Sequence, residues 1–341
     1  MNASKTVETR AFDLDVTREE LPTFPEKFEE FSGTMQPTYS GFSPDECSSG
    51  LQKAIRRGWF RDAFQNGLEL YRSGPLLRTN VWNRLIIISF EDVGLADPFA
   101  IVDVYHLFKK RGTSEEELSL LTAIFRLCQA KKSRINDNSV YMYPQNGIFK
   151  GSVSTWEDDL IEALEKKVIG FAHYYRQAIA NCEEKIKING KGRGLNPQTL
   201  IWSAFQKVLP DSDYLKLIRE ISMLPNHKWK AGTQMYQTHC INLICLGIVP
   251  TNEELKNHKP VDLLKDFQVY LDEHKERKNI KGICDYAIDK HTRKGRSKNR
   301  LFIHFFEEGA KLYNEDKRFM KLSAKFFSDL KKNMKEIGTW K

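Results

Sequence analysis

The chain reads as an all-α protein, a multi-helix globular array. Apolar residues recur at the three- and four-residue spacing of a helix face, and alternation of apolar and polar residues over four or more positions is almost absent. Start signals (Pro, Ser, Thr or Asp before a periodic run) and stop signals (Gly after one) punctuate the sequence. The 341 residues, 40% hydrophobic and 29% charged, are ordinary for a globular protein and enough to bury a core without disulfide or metal staples.

The elements follow in order. Residues 1–42, broken by Pro22, Pro25, Gly33 and Pro37, read as an extended acidic arm or partly disordered leader. Ser43 is the expected cap of a helix opened by Pro44 and carried through Leu51 and Ile55. A second helix runs from Trp59 to Tyr71 and stops at Ser73-Gly74-Pro75. A third, from Asn80, places Val81, Leu85, Ile88 and Val93 on one face; Gly94 ends it, and Asp97-Pro98 begin a helix that stops at Arg111-Gly112. Thr113 and Glu116 have capping-box spacing for a helix to Lys131. Residues 136–155, with Tyr141, Pro144, Gly147 and Gly151, read as a loop or short hairpin. A long helix from Trp156 to Ile188 is broken at Gly190-Lys191-Gly192-Arg193-Gly194. Further helices are expected at 197–209, 211–224, 231–247, 251–256, 260–278, 279–291, 299–313 and 315–337. This makes 43–135 one helical domain and 156–341 a second helical region with a basic C-terminal part.

The formal charge of +8 is unevenly spread. Residues 1–46 carry 4 basic and 10 acidic side chains, whereas 275–341 carry 19 basic and 9 acidic. Such asymmetry points to a polyanion-facing C-terminal end behind an acidic leader. Its densest stretch is Asp289–Arg300, where Lys290, Arg293, Lys294, Arg296, Lys298 and Arg300 surround Gly295 and Ser297. A short basic turn suits phosphate contacts, because backbone N–H groups approach alongside the cations. Arg56, Arg57 and Arg61 form a second, smaller candidate patch. Phe302, Phe305 and Phe306 follow at helical spacing and read as core rather than as a base-stacking platform.

No cysteine pair has CxxC spacing; Cys240 and Cys245 lie in an apolar helical run and read as core, so no metal is expected. The start of the chain lacks a signal-peptide pattern, and no apolar run reaches the length of about 20 residues that a membrane helix needs. A reducing, cytoplasmic or nuclear setting without secretion is expected. There is no G-x-x-x-x-G-K-[ST], G-x-S-x-G or H-E-x-x-H, and the Gly-rich run 190–194 follows a helix and lacks the required Ser or Thr. No catalytic residue and no cofactor is therefore assigned. Glu91 and Asp92 end an apolar helix, where carboxylates oppose the helix dipole. Adjacent helical residues diverge by about 100°, so one is expected to turn inward as a structural anchor for backbone donors or for an Arg such as Arg84 or Arg126, with the two not sharing a site.

Two stretches carry a family resemblance. Lys53, Arg56, Arg57 and Gly58, then Arg84, Leu85, Ser89, Glu91, Asp92, Gly94, Leu95, Ala96, Asp97 and Pro98, with Gln129–Arg134, resemble the C-terminal helical domain of the RarA/MgsA group of clamp-loader-like AAA+ ATPases. Tyr286–Arg296 and His304–Ala310 are similar to a tail of stand-alone phage and bacterial relatives. Phe90 replaces the family's usual Ser, and Lys132 its Pro. The nucleotide-binding module is missing from the sequence, so the resemblance implies the helical domain alone, which assembles subunits and supports work on DNA. It implies a packing role for Arg84, Glu91, Asp92, Gly94, Asp97 and Pro98.

Together these readings give a leading expectation: a non-enzymatic accessory protein of DNA replication or recombination that contacts phosphates through the basic turn, with DNA favoured over RNA. One alternative is a protein-interaction or oligomerisation module that docks on a polymerase, clamp or AAA+ ATPase, its acidic arm occupying a basic groove. Another is a nuclease or glycosylase-like enzyme using Asp289 and His291. A homo-oligomer is compatible with either of the first two, and no membrane partner is expected.

Overall fold

The computed structural model describes residues 36–142, 153–180, 197–224, 230–273 and 282–336. Most of the expected leader and the Gly-rich run 190–194 lie outside them. Among the described residues the chain is all-helical and has no strand. In chain order the helices are α1 (Pro44–Arg57), α2 (Phe60–Arg72), α3 (Pro75–Ile88), α4 (Pro98–Phe108), α5 (Glu116–Gln129), α6 (Ile135–Met142), α7 (Val153–Glu165), α8 (Ile169–Ala180), α9 (Pro197–Val208), α10 (Asp213–Ser222), α11 (Lys230–Leu246), α12 (Asn252–Asn257), α13 (Phe267–Glu273), α14 (Arg293–Ser297), α15 (Phe302–His304) and α16 (Lys317–Glu336).

Helices α1 and α2 form a hairpin because Gly58 takes the left-handed conformation (φ 73°) that ends α1. Its N–H and that of Trp59 bond back to the carbonyls of Ile55 and Ala54 at 3.1 and 2.9 Å. The hairpin buries Leu51, Ala54, Ile55, Phe64 and Leu68 against Leu120, Leu121 and Ile124 of α5. Gly67 permits this approach, since a Cβ there would overlap the Ile124 side chain. Helix α11 is buried along Tyr236, His239, Cys240, Ile241 and Leu243, and touches α6, α8 and α10. One apolar core runs from Phe42 to Phe326, so the boundary drawn at 135 crosses continuous packing. A satellite cluster of Phe305, Phe306, Leu330 and Met334 seats α16 on the preceding turn. Among the described residues, no helix is long and apolar enough to cross a membrane.

The structure differs from the sequence reading in several places. Helix α3 starts at Pro75 rather than Asn80, because the proline that follows the stop signal also opens the next helix. Residues 136–142, expected as loop, belong to α6. Their Asn and Ser side chains are poor helix formers, but here they point into a buried polar network, and tertiary contacts override propensity. The long helix after Trp156 is two helices, broken where Lys167 adopts φ 55°. Within 279–291 the described residues form only a short 3₁₀ turn, Asp285–Ala287. The expected helix 299–313 shrinks to α15 and a π-helical turn, Phe305–Gly309. Ser43 takes the N-cap position of α1 as expected, but its hydroxyl bonds the Asp45 carboxylate rather than a helix N–H; Thr113 does not cap α5, whose N-cap is Glu115, and the capping box seen among the described residues is Thr251 with Glu254.

Candidate nucleic-acid interface

The basic turn stands on Asp289, whose side chain is fully buried. The Asp289 carboxylate accepts from the His291 backbone N–H at 2.9 Å, meets His291 Nδ1 at 3.2 Å and pairs with Lys53 Nζ at 2.8 Å. Burial pushes this carboxyl up, but His291 and Lys53 more than offset it and hold it well below the usual carboxylate range. The Thr292 hydroxyl donates to the Asp289 carbonyl at 3.0 Å and accepts from Gly295 N–H at 2.9 Å, capping α14. Gly295 lies directly on the Asp289 carbonyl, where any Cβ would overlap backbone. The far side is tied by Arg300, which donates to the carbonyls of Asp285 and Ile288 at 3.1 and 3.2 Å and pairs with the Asp285 carboxylate. On the near side, Arg293 N–H donates to Asp45 at 2.9 Å, next to the point where the N-terminal segment enters α1.

This anchoring aims the turn's cations outward. Arg293, Arg296 and Lys298 are exposed, and among the described residues none of the three forms an ion pair. Arg296 donates only to the Lys290 carbonyl at 3.0 Å. Lys294 is half-buried. Lys290 turns inward: its Nζ sits 3.6 Å from the Phe302 ring centre and 4.7 Å from that of Phe305, and burial pulls its pKa down to about 8. His291 is half-exposed beside Phe305.

Beneath the turn lies a buried ionic centre. Arg56, only 2% exposed, donates to Asp92 at 2.7 Å, to Glu91 at 3.3 Å and to the Gly309 carbonyl at 2.8 Å. Arg134 donates to the same Asp92 oxygen at 2.6 Å and pairs with Asp137. Both guanidinium groups face the Phe305 ring, at 5.6 and 5.4 Å. Burial raises the Asp92 carboxyl, but Arg56 and Arg134 hold it below the ordinary value; Glu91, pressed by burial and by Asp137 and Asp92, is raised. Arg57 bonds the Glu308 carbonyl at 2.7 Å and lies over the Trp59 and Tyr286 rings.

The second candidate patch therefore does not survive as a surface. Arg56 and Arg57 are buried, since α1 is covered by the chain returning at 285–309, a packing that local sequence does not reveal. Arg61 alone of that group is exposed, over Phe60. Neither Arg84 nor Arg126 is the partner of Glu91 and Asp92. Arg84 takes no part in the centre, and Arg126 pairs with Asp97 and Asp103 at 2.8 and 2.7 Å. Glu91 and Asp92 do share a site, contrary to the helical expectation. They lie on a π-helical turn, Ser89–Val93, and a single forked guanidinium reaches both. Asp97 accepts from Ala100 N–H at 3.2 Å to cap α4, and Pro98 is its first residue. Gly94 (φ 43°) leaves room for the Asn136 amide, which a Cβ would crowd. Asp137 was missed because 136–155 was read as loop, and Arg134 entered only as the end of the Gln129–Arg134 stretch, with no partner assigned to it. Cys240 and Cys245 are free and buried, as core, and no metal-holding group of His, Cys, Asp or Glu occurs among the described residues. Compared with protein-family models, curated proteins and solved structures, the chain matches none of them.

Proposed function

We propose that this chain is a nucleic-acid-associated accessory protein, acting in DNA replication or recombination, that grips backbone phosphates with the turn 293–300. The observation that carries the reading is the contrast within one loop: Asp289, Thr292, Gly295 and Arg300 are locked into the protein, while Arg293, Arg296 and Lys298 project from it without carboxylate partners. A fixed loop that presents unneutralised cations contacts phosphates at small ordering cost. Kinship with the RarA/MgsA helical domain belongs to the same proposal. It is supported by the meeting of the matching stretches, around Arg56, Asp92, Arg134 and Asp289, in one buried centre.

The test is binding of a fluorescent duplex across a salt series. The logarithm of the binding constant should fall linearly with the logarithm of salt, with little dependence on sequence. The triple variant R293E/K294E/R296E should weaken binding about equally on unrelated sequences. No binding at low salt, or tight binding that ignores salt, overturns the reading.

A further inference from the structure

We infer that the exposed face of α16 is a second nucleic-acid surface, one that lies along the backbone of a duplex and extends the grip of the basic turn. The inference rests on the phosphate-binding reading of that turn and adds the element and the form of nucleic acid it takes.

Lys317, Lys321, Lys325, Lys332 and Lys335 are all exposed on α16. At about 100° per residue they fall within an arc of about 80°, and at 1.5 Å per residue they span about 27 Å of straight helix. Among the described residues none of the five has an ion-pair partner, whereas Lys109, Lys110, Lys166, Lys207, Lys216, Lys265 and Lys311 on other surfaces each meet a carboxylate. The opposite face of α16 buries Phe319, Phe326, Leu330 and Met334. A lysine-rich amphipathic helix lies on a membrane through its apolar face; here that face is occupied by the protein, which leaves only the charged face for a partner.

The helix that carries the stripe is packed directly on the segment that follows the turn. The chain leaves Arg300 into Phe302, Phe305 and Phe306, and these pack against Phe327, Leu330 and Met334. The partner is a duplex on two grounds. A rigid, straight row of cations matches a stiff polyanion whose strands each carry a charge about every 3.4 Å. Single-strand binders interleave aromatic stacking platforms with their cations, and the aromatic residues of α16 are turned inward: Phe319 and Phe326 are buried, and Phe327 lies against Phe306.

The experiment uses the full chain, with fluorescence anisotropy on a duplex and on a single strand of equal length, over a salt series. K321Q/K325Q/K332Q, which touches only exposed side chains, is compared with R293Q/R296Q and wild type, after a thermal melt shows each variant folded. The stripe variant should lose about tenfold or more in duplex affinity at low salt. Its log–log salt slope should flatten by about 2.7, or about 0.9 for each phosphate contact removed, with a smaller loss on the single strand. If it binds duplex like wild type while R293Q/R296Q does not, the stripe inference fails and the turn reading stands. If wild type binds no nucleic acid, or R293Q/R296Q leaves binding unchanged, the turn reading itself fails. Equal loss on both ligands overturns the duplex assignment. Stripe-dependent binding to anionic vesicles makes α16 a membrane surface and also overturns it.

Discussion

At the scale of single residues, the most constrained position is Gly295. An added Cβ would meet the Asp289 carbonyl, which is backbone and held by Thr292. G295A should therefore destabilise by about 1–3 kcal/mol or more through overpacking and weaken duplex binding, both read from denaturant midpoints and anisotropy. A wild-type midpoint would mean that the turn is not anchored as described. Lys132 makes the complementary case in charge. It is fully buried; its ammonium donates to the carbonyls of Leu127, Cys128 and Ala130 at the end of α5, and no carboxylate pairs with it among the described residues. Burial lowers its pKa to about 8. A lysine depressed in the folded state binds fewer protons there than in the unfolded chain, so its penalty is complete below about pH 8 and is released as pH rises toward about 10.4. Wild type should gain stability relative to K132M across that window, by up to about 3 kcal/mol. A constant difference between the two would refute the assignment. Both residues were named from the sequence, but neither role was legible there. A glycine in a basic run looks like a flexible turn, and a lysine looks solvated, until the chain that covers each is in place.

At the scale of elements, what was legible depended on whether local rules and tertiary packing agreed. Helices α1, α2, α4, α5 and α16 follow mainly from apolar period and from proline and glycine punctuation, since one face of each meets the core and the signals are local. The π-helical turns at Ser89–Val93 and Phe305–Gly309 were not legible, because each inserts residues where distant partners bond: Arg56 takes Asp92 from one and the Gly309 carbonyl from the other. The same holds for α6, whose Asn136 accepts from Asn242 of α11 at 2.8 Å in the interior. The break between α7 and α8 is a smaller miss with a direct test. Lys167 holds φ 55°, a conformation that glycine adopts without strain. K167G should raise stability by about 0.5–1 kcal/mol, seen as a higher denaturant midpoint with unchanged slope. A loss instead would show that the Lys167 side chain, near Gly247, contributes more than the backbone strain costs.

At the scale of the whole molecule, the charge asymmetry visible in the sequence acquires an address. The positive excess near the C-terminus divides into cations consumed by the protein itself, such as ring-bound Lys290 and Arg300 paired with Asp285, and cations left outside on the turn and on α16. The acidic N-terminal stretch, 10 carboxylates against 4 basic side chains over residues 1–46, enters the described fold beside that outer group, where Asp45 meets Arg293. The charge of this stretch is expected to repel a polyanion that approaches the turn, and to do so through solvent. The field of exposed charges decays over a Debye length of about 10 Å at 0.1 M salt and about 3 Å at 1 M. Neutralising the leader with E19Q/E20Q/E29Q/E30Q, which leaves chain length and every described contact intact, should tighten duplex binding severalfold at low salt. The gain should shrink steadily as salt rises and vanish near 1 M. The unfolding midpoint is measured alongside, so that a change in affinity is read only on proteins of equal stability. Were affinity at low salt identical in the two proteins, the leader would be electrostatically remote from the bound nucleic acid. The ligand would then have to lie on a face other than the one that Arg293 and Asp45 share.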